Sequence, residues 1–314
     1  MIRETRIHFS YWLQKNKPTN RYRVRCAVPG PASRLAKTTH RVTILPAMTI
    51  HSSAVIGKDV TLGERNEIGP HVVIEDGVAI GSGNKILAGA YLCSGTQIGD
   101  HNDIHMGAVI GNAPQDRAYQ DFKTETKIGS HNIIREYVTI HRGTKEGTAT
   151  VIGNHNFLMV NAHVAHNCRI GNRVTLVNGA SLAGYCTVED DAFLSGMTVF
   201  HQFTAIGRLA LVSAFSAVNL DVPPFIMCGG RGAVVHGTNI LGLRRAGLTS
   251  EVRDEIKRAY KILYHSGLNR KNALAEIERM CVSQEVKHLV NFVRASKRGI
   301  CMSAHSRASE AVRF

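Results

Sequence analysis

Tryptophan occurs once in 314 residues and aromatic residues make up only 6% of the chain. No apolar run approaches the roughly 18 residues that suggest a membrane-spanning helix, so no stable membrane insertion is expected. No Cys-x-x-Cys pair exists among the seven cysteines (26, 93, 168, 186, 228, 281, 301), and their number is odd. That pattern fits reduced, mostly buried thiols in a cytosol-like compartment better than a disulfide framework or a zinc ribbon. A basic stripe with interleaved aromatics, as nucleic-acid binding requires, is also missing, and no nucleic-acid partner is expected.

The formal charge of +14 conceals an uneven distribution. Residues 1–47 carry ten Lys/Arg against Glu4 alone, or +9, which leaves +5 for residues 48–314. The first 47 residues are acid-poor, unpatterned and interrupted by Pro29-Gly-Pro31, and they lack the apolar core of a secretory signal. We expect them to lie outside the folded body. An over-extended gene start, with Met48 as the true beginning, is favoured over an organellar transit segment. A body at +5 remains compatible with an acidic protein partner or a phosphate-bearing small molecule.

What is abundant is glycine, 29 residues, and a period of six. From Ile50 a branched aliphatic recurs as Ile56, Leu62, Ile68, Ile74, Ile80, Ile86, Leu92, Ile98, Ile104 and Ile110. The series resumes at Ile128, Ile134 and Ile140, then at Ile152, and runs on in phase to Val218. Neither a helix nor alternating strands have this period; a hexapeptide parallel β-helix does. Glycine often follows the aliphatic, as a tight corner needs. Four residues after it stands a small residue or Asn, such as Asn66, Asn84, Asn102, Cys168 or Cys186. Three hexads per turn would give about ten coils spaced roughly 4.8 Å apart. Members of this class wind left-handed.

The expected organisation is therefore a left-handed parallel β-helix over 48–222, a triangular prism, followed by a C-terminal α-helical domain over 223–314. Two polar, basic excursions interrupt the prism near 111–127 and 141–151; such loops are where rigid scaffolds place function. Asp221-Val-Pro-Pro ends the coil, because two prolines cannot continue a ladder. A short helix is expected within Gly237–Ala246, then a helix capped by Thr249 or Ser250 and closed at Ser266-Gly267. Two more are expected near Arg270–Cys281 and Gln284–Lys297, covering the open prism end.

Outward-facing histidines, His141, His163, His166 and His201, cluster in the later coils. Four solvated histidines, a tris-imidazole zinc site as in a γ-type carbonic anhydrase, and a general base for acyl transfer are all compatible with the spacing. The motifs narrow the choice. Pro114-Gln-Asp, Arg135-Glu-Tyr-Val-Thr-Ile-His-Arg-Gly-Thr144, Asn161-Ala-His-Val-Ala-His166, Ser181-Leu-Ala-Gly184, Val199-Phe-His-Gln-Phe203, Asp221-Val-Pro-Pro and Asn239-Ile-Leu-Gly-Leu-Arg-Arg245 closely resemble acyl-[acyl-carrier-protein]–UDP-N-acetylglucosamine O-acyltransferases. The resemblance extends over roughly 48–300.

The resemblance implies transfer of a 3-hydroxyacyl chain from acyl carrier protein to the 3-hydroxyl of UDP-N-acetylglucosamine, in lipid A biosynthesis. It implies His166 as general base and Gly184 as the backbone oxyanion donor. Gln115, Asp116, His163, His201, Gln202, Asn239 and Arg245 match positions that hold sugar, nucleotide or pantetheine. Ala214 matches the residue that limits acyl length, suggesting a chain of about twelve carbons. A cytoplasmic homotrimer with sites between prisms is implied, with no metal and no cofactor beyond the donor's phosphopantetheine thioester. Four departures stand out. Asn167 replaces an Asp after the base, so it can accept a hydrogen bond but lends no charge. Ala118 replaces a substrate-binding Lys, for which Arg117 or Lys123 would have to substitute. Tyr185 replaces a His, and Leu241 an acid. A relative acting on a 3-amino sugar, or another hexapeptide acyl- or acetyltransferase, is the alternative, and a non-enzymatic β-helix a further one.

Overall fold

The computed structural model describes residues 48–303, so the basic segment 1–47 lies outside the described residues. From Thr49 to Val218 the chain forms 26 short strands, most of two residues, one per hexad. Successive strands go to three different parallel stacks of 9, 9 and 8 strands, and each collects every third hexad. Pairing joins aliphatic to aliphatic: Ile50 with Ile68, Ile68 with Ile86, Ile86 with Ile104. The aliphatic points into the prism and its predecessor faces out, as in Lys85–Ile86. Ile86, Leu92, Ile104, Ile110, Ile134, Ile140 and Leu158 are all fully buried. At about 25 cal/mol per Å² of apolar surface, this column of aliphatics supplies the prism's main cohesion.

The partner of a hexad lies 18 residues on, except across the excursions. Ile104 pairs with Ile134, and Ile134 with Leu158. The first excursion therefore adds two hexad lengths and the second adds one, and this alone keeps the sequence in phase. Asp116, Phe122 and Glu146, which fall on the six-residue count, belong to these excursions. The prism has just under nine coils rather than about ten.

Two corner positions explain the composition. The residue three after the aliphatic takes positive φ at almost every turn, and most of its occupants are not glycine: His131, Tyr137, Asn167, Tyr185 and Phe203 have φ from 58° to 68°. The glycine one after the aliphatic has a different cause. A Cβ on Gly57 would stand 2.6 Å from the Asp76 backbone N, and one on Gly129 would stand 2.7 Å from the Gly153 carbonyl oxygen. Close approach of the next coil, not left-handed backbone, demands those glycines.

One inside corner carries an asparagine column. Asn66, Asn84, Asn102, Asn132 and Asn156 are buried, and each Oδ1 accepts a backbone N–H from the next coil at 2.8–2.9 Å. Buried polar groups satisfied in this way cost little.

The prism ends at Asp221. Its buried carboxylate accepts the Ala205 N–H at 2.8 Å and the Ser296 hydroxyl at 2.6 Å, joining the last coil to the C-terminal segment. A hairpin, Ile226–Gly229 with Val234–Thr238, then extends the first sheet; the spacing gave no sign of it. Four helices follow: α1 (Ile240–Arg245), α2 (Ser250–His265), α3 (Arg270–Met280) and α4 (Gln284–Ala295). Side chains of Asn239, Thr249, Asn269 and Ser283 cap their N-termini. None of these helices is long and apolar enough to cross a membrane.

Candidate active site

The second sheet brings the histidines together. Its register pairs Thr139 with His163 and Ser181, and Ile140 with Val164, Leu182 and Phe200. Two residues past Val164, Leu182 and Phe200 come His166, Gly184 and Gln202, so these three occupy one column on successive coils. Three residues past the same aliphatics come Asn167, Tyr185 and Phe203, all at positive φ. A single corner of the prism therefore carries the base candidate, the oxyanion candidate and two of the departures.

His166 is off the prism interior, whose lining here is Ala162, Val164 and Cys168, yet it is only 7% exposed. Its ring meets Tyr185 edge-on at 5.3 Å, and Tyr185 stacks on Phe203 at 4.9 Å. Gly184 is glycine because of that ring: a Cβ there would stand 2.3 Å from His166 Cε1 and 2.5 Å from Nε2. Among the described residues the Gly184 N–H donates to no acceptor.

His166 Nδ1 is 3.1 Å from Asn167 Oδ1. That oxygen also accepts the Thr144 backbone N–H at 3.1 Å and the Thr144 hydroxyl at 2.8 Å. A backbone N–H only donates, which fixes the amide oxygen at this point. The His166 nitrogen beside it must then carry the proton, which leaves Nε2 with a free lone pair while the ring lies against Gly184. Thr144 reaches the corner from the second excursion, which is clipped to the first: Lys123 N–H donates to Glu146 at 3.0 Å, and Gly147 N–H to the Lys123 carbonyl. The excursions are thus parts of the site rather than solvated ornaments.

His163 and His141 complete the cluster. His163 Nδ1 is 2.7 Å from the Thr139 hydroxyl, and its ring stands edge-on to His141 at 5.0 Å. His141 is 4% exposed and its Nδ1 has no hydrogen-bond partner. Burial, reinforced by His163 and His166, lowers its pKa to about 4. Burial and the nearby His166 lower that of His163 as well. The neighbours of His166 are thus kept neutral. Among the described residues no three His, Cys, Asp or Glu side chains are placed to hold a metal ion.

The remaining candidates divide. Gln115 and Asp116 lie in the first excursion, where Asp116 accepts the Ala118 N–H at 3.0 Å. Arg117 and Lys123 are exposed. Arg142, next to His141 in sequence, donates to the Ser94 carbonyl at 3.3 Å and stands 5.8 Å from the Tyr119 ring; its motif gave it no role of its own. His201 is exposed, its Nδ1 3.1 Å from the Gln202 carbonyl. Asn239 and Arg245 line a separate groove of about 320 Å³ with Arg173, Asp191 and Phe193. Asn239 is buried there, capping α1 through Gly242 and donating to the Leu209 carbonyl at 2.9 Å. Its structural work is therefore plain, and Arg245 is the exposed member. Ala214 is exposed on a later coil. A further groove of about 540 Å³ lies against Asn167 and Tyr185, with Lys127, Thr148 and Arg169 on its walls. Thr144, inside a motif singled out above, had no signal marking it apart from its neighbours.

The chain is similar to several known proteins. Residues 221–301 match the family model described as UDP N-acetylglucosamine O-acyltransferase, domain 2, and residues 149–184 match bacterial transferase hexapeptide repeats. The chain is 44% identical over 149 residues to the acyl-[acyl-carrier-protein]–UDP-N-acetylglucosamine O-acyltransferase of Alkalilimnicola ehrlichii, a match covering 47% of this chain and 58% of that protein. The chain thus spans little more than half the length of the curated relatives it matches. The solved structure of the UDP-N-acetylglucosamine acyltransferase from Bacteroides fragilis superposes with a TM-score of 0.73 at 40% identity, over 82% of this chain and 99% of that one. For the Francisella novicida enzyme the TM-score is 0.79 at 35% identity, over 83% and 96%.

Proposed function

The chain belongs to the UDP-N-acetylglucosamine O-acyltransferase family, and we propose from this that it moves a 3-hydroxyacyl chain from acyl carrier protein to the 3-hydroxyl of UDP-N-acetylglucosamine, for lipid A. His166 Nε2 takes the hydroxyl proton as the sugar oxygen attacks the thioester carbonyl. The tetrahedral oxyanion receives the Gly184 N–H, a contribution of about 3 kcal/mol for one such donor. Collapse breaks the carbon–sulfur bond, and the imidazolium returns its proton to the departing pantetheine thiolate. His141 and His163, whose pKa values burial lowers, are poor acceptors for that proton.

The observation that carries the reading is the His166–Gly184 column, a base with its lone pair on the same corner as a backbone N–H without a protein acceptor. Gln115, Asp116, His163, His201, Gln202 and Arg245 are assigned to substrate, Asn239 to holding α1 in its groove, and Ala214 to acyl length. The mild positive charge of the body suits an acidic carrier protein. Exposed Met197, Val199, Phe203 and Phe215 on the site's coils suit packing against a neighbouring prism in a homotrimer. The cytoplasm is the matching compartment.

The test is turnover of UDP-N-acetylglucosamine with carrier-bound 3-hydroxyacyl chains of several lengths, read by mass spectrometry. A 3-amino sugar nucleotide and acetyl-coenzyme A serve as competing substrates. Product from the hydroxyl acceptor and carrier-bound donors, peaking near twelve carbons, is expected. Preference for the amine or for coenzyme A would overturn the assignment. Equal rates with chains of ten to sixteen carbons would remove Ala214 as the ruler.

A further inference from the structure

We propose that Thr144 and Tyr185 are positioning residues that set the tautomer of His166 through Asn167, a neutral chain doing what a carboxylate would otherwise do. The inference rests on His166 being the base. It starts from the one group whose proton cannot be reassigned, the Thr144 backbone N–H, which donates to Asn167 Oδ1 at 3.1 Å. An amide oxygen only accepts, so the Thr144 hydroxyl, 2.8 Å away, spends its single proton on the same atom. Tyr185 Oη lies 2.9 Å from that hydroxyl oxygen. With the threonine proton already committed, the tyrosine must donate. Three donors then converge on Asn167 Oδ1, and the third is His166 Nδ1–H at 3.1 Å.

Every bond in this chain has one possible direction. A hydrogen bond that can run only one way holds an imidazole in one tautomer, which a freely reversible one cannot. Asn167 is itself pinned at its other end, its backbone N–H donating to buried Thr150 Oγ1 at 2.8 Å. Tyr185 is pinned between the His166 edge and the Phe203 face. Because the chain carries no formal charge, it orients the base without drawing a proton onto it. Thr144 belongs to the second excursion, so the excursion's catalytic contribution is this contact.

Selective 15N labelling of histidine in the full-length protein, observed by NMR, reads the tautomer directly. In the wild type, His166 is expected to show a protonated Nδ1 and an unprotonated Nε2. Thr144→Val and Tyr185→Phe keep the Thr144 backbone N–H but lose the hydroxyl contacts that reinforce it, so each should shift part of the population to the other tautomer, and Thr144→Ser should restore the wild-type pattern. Each disruptive variant should lower kcat about five-fold, one hydrogen bond's worth, with KM for the sugar nucleotide unchanged. A wild-type His166 protonated on Nε2, or a Thr144→Val protein with unchanged ring signals, would overturn the proposal. The wild-type spectrum needs no variant to fold and no turnover to be seen. A protein that fails to acylate the sugar nucleotide would therefore defeat the functional reading while leaving the tautomer result to stand by itself.

Discussion

Two corners of the same prism put asparagine to opposite uses. In the Asn66–Asn156 column every amide is fully buried, and each coil satisfies the next through identical backbone contacts. At the other corner Asn167 is half-buried at positive φ, and its oxygen serves a histidine and a residue from an excursion. The backbone geometry is the same six-residue unit in both. The first corner is self-sufficient because its donors and acceptors repeat with the coil. The second is completed only by a segment that breaks the repeat, and among the described residues the Gly184 N–H there meets no protein acceptor. Periodicity builds the frame, and function collects where the period is interrupted.

If the corners differ in this way, changes at the second should damage chemistry and changes at the first should damage stability. Gly184→Ala is expected to have the largest effect. Its Cβ would collide with the His166 ring, and an ångström of displacement at a reacting group costs roughly 100-fold in rate. Steady-state kinetics checks this, with an unchanged melting curve as the control. Asn102→Ala should do the reverse. It strands the buried Asn132 N–H and removes a link to the Gly129 carbonyl, a loss of about 2–3 kcal/mol in denaturant titration, with kcat of the folded protein unaltered.

Acid provides a graded version of the comparison. The asparagine column has nothing to titrate, whereas His141 is held neutral by burial with its pKa lowered to about 4. A group whose folded pKa lies below its unfolded value stabilises the fold fully above the unfolded value, about 6.5 for histidine, and loses that contribution as pH falls towards 4. Unfolding free energy measured from pH 7 to 4.5 should therefore fall, and His141→Gln should flatten the fall by about 1–2 kcal/mol. The smallest effect should come from the prism-to-helix contact between His288 and Glu189, 2.8 Å apart. The Glu189 carboxylate raises the His288 pKa, so this pair helps below the unfolded histidine pKa and fades as pH rises through the raised one. With the His288 side chain 41% exposed, screening leaves no more than about 0.5 kcal/mol, visible as a His288→Gln difference at pH 6 that disappears by pH 8.5.

The prism was legible because the aliphatic column, buried coil after coil, writes the same demand every six residues. The helices were legible as segments, with Thr249 capping α2 as one of the two expected residues, whereas the caps Asn269 and Ser283 are seen only in the structure. The coil count was not legible, because both excursions add whole hexad lengths and leave the phase intact. The hairpin at 226–238 carries no periodic signature. At the candidate site, the motifs marked His166 and Gly184, and the fold brings these two onto adjacent coils of one corner. That Thr144 reaches Asn167 was not legible, since 23 residues and a turn of prism separate them. Asn239 shows the converse limit. Its motif marks the residue, while only the packing shows both ends of its amide engaged by protein.

The proposed transfer turns on His166. The most direct measurement is single-turnover conversion of UDP-N-acetylglucosamine by excess enzyme and 3-hydroxyacyl carrier protein, comparing the wild type with a folded His166→Ala variant. Product is expected with the wild type, and with the variant a rate lower by roughly 1,000-fold or more, as removal of a general base in a preorganised site entails. Equal rates for the two proteins would contradict it.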